Sequence, residues 1–162
     1  MSRIWKISCL FLILVVCAFQ IAKEPLFQTP ANWPKPAYDF NKNPLTADKV
    51  ELGRHLFYDP ILSADSSLSC SSCHSVKHAF SDTTQFSIGI DGLPGKRNAM
   101  PIFNLGYQPY DNGFFWDGRA TTLEDQAVMP IQDPLEMHEI LPNVVIKVSR
   151  SDFYPQLFFE AR

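Results

Sequence analysis

The sequence predicts a small, mainly helical domain with long loops, and three observations lead to this fold class. Thirteen Pro against seven Gly in 162 residues favour short elements separated by fixed turns. Helix-capping patterns recur, whereas the alternation of apolar and polar residues that is typical of strands is weak throughout. Hydrophobic residues make up 46% of the chain, which is enough for a packed core. The expected class is therefore all-α.

Residues 1–22 have the layout of an export signal. Arg3 and Lys6 precede an apolar run from Ile7 to Ala22 that contains no charge. A basic region followed by an apolar one is typical of a secretory signal, and Val16-Cys17-Ala18 offers a cleavage site after Ala18. The run is close to the lower limit for spanning a bilayer, so an uncleaved membrane anchor is the alternative. We expect export to the periplasm.

The remaining chain divides into a lead-in over residues 23–45 and a main domain over residues 46–162. The lead-in is rich in Pro and aromatic residues and lacks periodicity, so we expect it to run extended along the domain. The first helix of the domain is predicted to begin at Thr46, which can cap it, and to end before Pro60. Leu52 and Leu56 lie on one face of this helix and are expected to point inward.

Three more helices are predicted towards the C-terminus. One begins near Thr121 and ends before Pro130. A short helix covers residues 142–148. The last helix opens near Ser151, with Leu157 and Phe158 facing inward.

The segment Cys70-Ser-Ser-Cys73-His74 carries the strongest chemical signal. Cys-x-x-Cys-His is the attachment signature of c-type haem. Two thiols three residues apart on one helical turn can reach the two vinyl groups at one edge of a porphyrin. The histidine that follows can then give its imidazole to the iron. We expect one covalent haem c on Cys70, Cys73 and His74.

Three other interpretations of the two cysteines are weaker. A zinc site needs four ligands, and the other cysteines, Cys9 and Cys17, lie in the presumed export signal. A thioredoxin-like redox pair would need a strand–helix–strand context. A plain disulfide leaves His74 without a role.

The sixth ligand of the iron decides between an electron carrier and an enzyme, because a firm Met or His ligand suits electron transfer. Spacing alone does not choose among the candidates. These are His78, Met100, Met129, Met137 and His138. His55, on the first predicted helix, is interpreted as a surface or packed histidine.

From Thr46 to the C-terminus, ordered motifs resemble those of the bacterial di-haem cytochrome c peroxidase and MauG-like family. They are Leu52-Gly-Arg-His-Leu-Phe57, Asp59-Pro60, Leu62-Ser-Ala-Asp65, Ser69 to His74, His78-Ala-Phe-Ser-Asp82, Gly95-Lys-Arg-Asn98, Phe115-Trp-Asp-Gly-Arg-Ala120 and Leu135-Glu-Met137. The resemblance implies a cytochrome c-like helical domain with long loops around its haem. It matches the N-terminal, peroxide-reacting domain of that family, in which His74 is the proximal iron ligand.

The resemblance also implies roles for four other residues. Glu136 and Gln126 correspond to the acid and the amide above the iron, and Trp116 is similar to the tryptophan between the two haems. Asn98 resembles an asparagine that helps to hold calcium. For Asp117, Gly118 and Arg119 we expect only a turn with a local ion pair.

Two departures from the family pattern are visible. Typical members have a distal histidine sixteen residues beyond the proximal one, in a Ser-Ile-Gly-His-like run, whereas this chain has Ile90 there. Isoleucine cannot bind iron, so the site is expected to be open, closer to the MauG-like pattern. The chain also has no second Cys-x-x-Cys-His motif, so the electron-entry haem domain is expected to be missing.

The resemblance therefore implies an exported, cytochrome-c peroxidase-like oxidoreductase. Its partners would be hydrogen peroxide and a small electron-donor protein such as a cytochrome c or a cupredoxin. The alternatives are a non-enzymatic single-haem electron-transfer cytochrome, or MauG-like oxidation of a partner protein. The net charge of -3 gives no electrostatic case for binding nucleic acid.

Overall fold

The computed structural model describes residues 25–162, and within them the secondary structure is helical, with isolated β-bridges but no strand. The α-helices are α1 (Ala47–Tyr58), α2 (Cys70–Cys73), α3 (Leu123–Gln132), α4 (Leu141–Arg150) and α5 (Tyr154–Glu160). Short 3₁₀ turns lie at Pro60–Leu62, Val76–His78, Leu105–Tyr107 and Tyr110–Asn112. The predicted all-α class is confirmed. The predicted export signal, residues 1–22, lies outside the described residues.

Helix α1 begins and ends where its sequence predicts. The Thr46 hydroxyl accepts a hydrogen bond from the Lys49 N–H at 3.2 Å, which caps the first turn. The helix ends at Tyr58, ahead of Pro60, and the Asp59 carboxylate accepts from Ile61 N–H at 2.8 Å to open the next turn. Leu52 is buried in the core as expected.

The core lies where α1, α4 and α5 pack together. Tyr154 is its largest member, only 2% exposed, and its hydroxyl donates to Asp59 Oδ2 at 2.7 Å. Leu56 and Leu157 pack against this core, which confirms their predicted inward orientation. Phe158 was predicted to face inward as well, but it is 43% exposed. The buried core residues are Leu52, Leu62, Ile131, Met137, Val148, Tyr154 and Ala161.

Helix α3 shows that two predictions were wrong. Its cap is Thr122 rather than Thr121, with Thr122 Oγ1 accepting from Asp125 N–H at 3.0 Å. The helix also continues through Pro130 to Gln132, although proline removes one helical hydrogen bond. The following chain folds back on this end, where Met137 N–H donates to Pro130 O at 3.2 Å and Glu139 N–H donates to Ile131 O at 2.8 Å. These added bonds stabilise a helix end that proline alone would weaken.

The last two helices lie close to their predicted positions. Helix α4 is longer at both ends than the predicted 142–148. Helix α5 begins at Tyr154, three residues later than expected, and Pro155 lies in its first turn, where proline is tolerated. The Ser151 hydroxyl accepts from the Phe153 N–H at 3.1 Å between the two helices. None of the helices within residues 25–162 is long and apolar enough to cross a membrane.

The described part of the lead-in, residues 25–45, packs on the domain through aromatic rings. Between ring centroids, Phe27 lies 5.9 Å and Trp33 lies 5.0 Å from Tyr107. Tyr38 adds polar bonds, because its N–H donates to Gly106 O at 3.0 Å and its hydroxyl donates to the Glu124 carboxylate at 2.6 Å. This segment is therefore tied to the Leu105–Tyr107 turn and to α3.

Candidate functional site

Helix α2 is a single turn that carries both cysteines. Ser69 N–H donates to Ser72 Oγ at 3.1 Å at its start, and His74 N–H donates to Cys70 O at 3.0 Å at its end. Cys70 and Cys73 are free and half-buried. The predicted helical turn at the cysteines is confirmed, and it presents both thiols and the adjoining histidine from one short element.

The His74 imidazole is oriented by a backbone carbonyl. Its Nδ1 lies 3.0 Å from Phe80 O. Ala79 and Phe80 both adopt positive φ, which turns the chain back so that Phe80 N–H donates to Ser75 O at 2.8 Å. Because a carbonyl oxygen can only accept, Nδ1 carries the proton and the Nε2 lone pair is left for a metal. This is the usual support for a metal-binding histidine.

These residues border a cavity of about 910 Å³, within the range of roughly 300–1,000 Å³ that is typical of small-molecule and cofactor sites. The two thiols and the imidazole at its wall are the donor set that a covalently held haem requires, so the residues present fit that group. All the site residues predicted from the sequence line this cavity: Cys70, Cys73, His74, Asn98, Trp116, Gln126 and Glu136.

The alternative interpretations of the cysteines find less support. Within residues 25–162 no group of three or more His, Cys, Asp or Glu side chains is arranged to hold a metal ion. Burial raises the pKa of both the Cys70 and the Cys73 thiol. Redox pairs of the Cys-x-x-Cys type instead have a lowered thiol pKa. Over this same range the strand–helix–strand context of a thioredoxin-like site does not form.

Glu136 lies in the segment that follows α3 and is half-buried. Its N–H donates to Asp133 O at 3.0 Å, in a turn that brings the side chain to the cavity. Burial raises the pKa of the Glu136 carboxyl, the negative charge of Asp133 adds to the increase, and Arg119 opposes it. A solvated loop glutamate would not have this environment. Glu136 is suited to exchanging a proton inside the cavity.

Gln126 reaches the same cavity from α3. Leu123, Ala127 and Pro130 line the cavity with it, as expected for residues that are three or four apart on one helix face. Gln126 is half-buried, so it does not lie on an ordinary exposed face. An amide at this place can both donate and accept hydrogen bonds to a small polar ligand.

Trp116 lies in a tight loop and is not a core aromatic, because it is 59% exposed. Phe114 N–H donates to Ala120 O at 2.7 Å and closes the loop. The Trp116 indole N–H donates to Asn98 O at 2.9 Å, which fixes the ring beside the cavity. The Asn98 side chain in turn donates to Thr84 O at 3.1 Å. Asn98 therefore links Trp116 to a second loop, and its predicted calcium role stays a prediction.

The turn after Trp116 contains the expected ion pair and an unexpected stack. Asp117 pairs with Arg119 at 3.0 Å, and Gly118 adopts positive φ between them. Asp117 also pairs with Arg97 at 2.9 Å, and the Arg119 guanidinium lies 3.7 Å from the centre of the Phe115 ring. These cationic side chains line the cavity. The sequence carried no signal that Arg97 and Arg119 would line this cavity.

Of the candidate sixth ligands, some line the cavity and others do not. Met100 and the buried Met137 line the cavity, whereas His78, Met129 and His138 lie outside its lining. His138 is paired with Asp91 instead, at 3.0 Å. His55 lies 3.0 Å from Glu51 on α1, as expected for a surface or packed histidine.

The fold and this cavity define a cytochrome c-like helical domain. A family model described as "Di-haem cytochrome c peroxidase" matches residues 47–161, and the chain belongs to that family. The family's cofactor is haem c, which agrees with the donor set at the cavity wall.

Curated relatives share substantial identity with the chain. It is 39% identical over 140 residues to the methylamine utilization protein MauG of Methylorubrum extorquens, covering 86% of this chain and 38% of that protein. It is 40% identical over 126 residues to the cytochrome c peroxidase Ccp of Escherichia coli, covering 72% and 26%.

Two solved structures have a similar fold. A MauG-like protein associated with microbial copper homeostasis superimposes with a TM-score of 0.73 at 35% identity, covering 83% of this chain and 39% of that one. The diheme peroxidase BthA of Burkholderia thailandensis gives a TM-score of 0.61 at 27% identity, covering 72% and 35%. The chain thus spans between about a quarter and two fifths of the length of these relatives.

Proposed function

We propose that this chain is the peroxide-reacting haem domain of an exported cytochrome-c peroxidase-like oxidoreductase. The observation that carries the proposal is a single cavity lined by the Cys70-Cys73-His74 set, Gln126 and Glu136, with the pKa of the Glu136 carboxyl raised. The basic start and apolar run of residues 1–22 support export, with membrane anchoring as the alternative.

Haem would be held through the thiols of Cys70 and Cys73 and through His74 Nε2, and it supplies one-electron redox chemistry at its iron. The Phe80 carbonyl keeps His74 in the tautomer that this requires. The cavity wall is mainly apolar, and electrostatic interactions are stronger beside apolar surroundings than in bulk water.

Glu136 is the residue that transfers the proton. Reduction of one hydrogen peroxide to two waters takes up two protons and two electrons. The ionised Glu136 carboxylate takes a proton from the incoming peroxide and returns it to the leaving oxygen, which is general base and then general acid catalysis. A pKa raised above the ordinary glutamate value favours return of the proton to the leaving oxygen. Gln126 holds the peroxide by hydrogen bonds from its amide.

Electrons arrive from a small donor protein such as a cytochrome c or a cupredoxin. Trp116 is the proposed relay, since it borders the cavity and is 59% exposed. Its indole N–H is held by Asn98 O, so the ring has one orientation.

Two alternative functions have specific support. Met100 and the buried Met137 at the cavity wall favour an electron-transfer cytochrome, if either sulfur binds the iron firmly. Ile90 in the place of a histidine, and identity to proteins named for methylamine utilization, favour oxidation of a partner protein.

The optical spectrum of the purified haem-loaded protein separates the first two functions. We expect a high-spin ferric spectrum that changes within seconds of adding hydrogen peroxide. A low-spin ferric spectrum that peroxide leaves unchanged would contradict the peroxidase function and support the electron-transfer cytochrome.

A further inference from the structure

The loop of residues 87–95, called here the 87–95 loop, is closed on itself by hydrogen bonds. Gly95 N–H donates to Ser87 O at 2.9 Å, and Gly89 N–H donates to Leu93 O at 2.9 Å. Gly92, at φ +71°, makes the turn at the tip and donates to Gly89 O at 3.0 Å. These bonds join the two ends of the loop and its tip into one hydrogen-bonded unit.

The loop docks on the segment that carries Glu136. Ile90 N–H donates to Glu136 O at 3.0 Å. Gly89 packs so closely that a Cβ there would lie 2.2 Å from Leu135 O, an approach that only glycine allows. Two successive residues of the loop thus contact two successive residues of the segment through backbone atoms.

A side-chain pair closes the outer end of this contact. His138 Nδ1 lies 3.0 Å from Asp91 Oδ2, and both side chains are about half exposed. His138 is held at φ +50°, with its N–H donating to Asp133 O at 3.0 Å, so its ring points at the loop from a fixed backbone. Glu136 lies between the Leu135 contact and the His138 contact.

We propose that Asp91 and His138 are positioning residues for Glu136, acting by holding the 87–95 loop against the Glu136 backbone. The proposal rests on the proposed role of Glu136 in proton exchange. The pair fixes the loop, the loop fixes the Glu136 carbonyl through Ile90 N–H, and the fixed backbone directs the carboxyl into the cavity. Neither Asp91 nor His138 lines the cavity, so neither contacts a bound ligand there.

Amide hydrogen exchange in the haem-loaded full chain tests the docking directly. Asp91→Ala should lower the protection of the Ile90 amide about two- to fivefold, the range expected for loss of an exposed side-chain pair. Asp91→Asn keeps an oxygen acceptor for His138 and should restore most of the protection. Asp111→Ala, at an exposed aspartate in neither segment, is the matched control and should change nothing. Unchanged Ile90 protection in Asp91→Ala would overturn the proposal.

Gly89→Ala is the stronger variant, because its methyl group cannot fit beside Leu135 O. If it folds, protection of Ile90 should fall by more than tenfold. If it does not fold, Asp91→Ala and His138→Asn still test whether the pair holds the loop against the Glu136 backbone. Asparagine is chosen at position 138 because it tolerates the positive φ there.

The link to Glu136 is tested by the rate at which peroxide changes the haem spectrum. Asp91→Ala and His138→Asn should both slow this change, and Asp91→Asn should recover it. Faster Ile90 exchange with an unaltered peroxide rate would overturn the positioning role, provided that Glu136→Gln slows the reaction. If Glu136→Gln has no effect, the proposed function is wrong, and the docking of the loop is then judged by exchange alone.

Discussion

The helical core and the loop wall of the cavity are held together by different interactions. In the core, α1, α4 and α5 bury apolar side chains against one another. In the loop wall, residues 87–98 and 115–119, the contacts include single hydrogen bonds and exposed ion pairs, such as Trp116 to Asn98 and Arg97 to Asp117. Burial of apolar area dominates stability, whereas exposed ion pairs add little. Changes in the core should therefore alter stability, and changes in the wall should alter the site.

The largest effect is expected from removing the attachment residues. The double variant Cys70→Ala, Cys73→Ala cannot form thioethers, so covalent haem should be lost completely. Haem staining after denaturing electrophoresis measures this. Cys9→Ala, in the presumed export signal, is the control and should keep its haem; covalent haem in the double variant would contradict the attachment.

Leu52→Ala tests whether a change in the core alters stability. Leu52 is 8% exposed and belongs to the main core, so its truncation should lower the free energy of unfolding by about 2–5 kcal/mol. The haem spectrum of the folded fraction should stay the same. Val50→Ala, at an exposed position on the same helix, should cost much less. Equal losses in a denaturant titration would show that α1 does not pack as described.

The Glu139–Lys147 pair joins the core to the segment after Glu136. Lys147 Nζ lies 2.6 Å from the nearly buried Glu139 carboxylate and also donates to Ser63 O. Lys147→Ala should cost about 2–3 kcal/mol, less than for a fully buried pair because a quarter of the lysine side chain is exposed.

This pair also predicts a dependence on pH. The hydrogen bond from Lys147 lowers the pKa of the Glu139 carboxyl below its ordinary value. Its contribution to stability is therefore fully present above the ordinary glutamate pKa of about 4.3 and is lost as the pH falls through the lowered value. Acid unfolding of Glu139→Gln should lack this component. An identical pH profile in the variant would contradict the pair.

The smallest effect is expected at the start of α3. Thr122→Ala removes the capping hydroxyl and should cost about 1 kcal/mol. Thr121→Ala is the matched control, since Thr121 Oγ1 contacts only a side chain, Asp125 Oδ2, and it should cost clearly less. Thermal unfolding of the two variants compares them; a larger loss at Thr121 would reverse the assignment of the cap.

Sequence reasoning predicted the features that depend on neighbouring residues. The cap at Thr46, the end of α1 before Pro60 and the helical turn at the cysteines all follow from local patterns. The family resemblance added Gln126 and Glu136, which no pattern of spacing would have brought to one cavity. Local rules were wrong at Pro130, because bonds from the returning chain offset the cost of proline in a helix.

The contacts of the loop wall could not be predicted from local sequence patterns, and the reason is physical. Its bonds join residues far apart in sequence, such as Ile90 to Glu136, through backbone atoms that every residue possesses. The stack of Arg119 on Phe115 likewise depends on a positive φ at Phe115 that its residue type does not favour. The sequence shows a glycine at position 89, but it does not show that the Leu135 carbonyl lies against it.

The rate at which hydrogen peroxide changes the haem spectrum in Glu136→Gln tests the central claim most directly. If Glu136 exchanges the proton in this cavity, the variant should react about 10²- to 10⁴-fold more slowly than the wild-type chain. Glu160→Gln, at an exposed glutamate on α5, should react at the wild-type rate. A Glu136→Gln variant as fast as wild type would contradict the account.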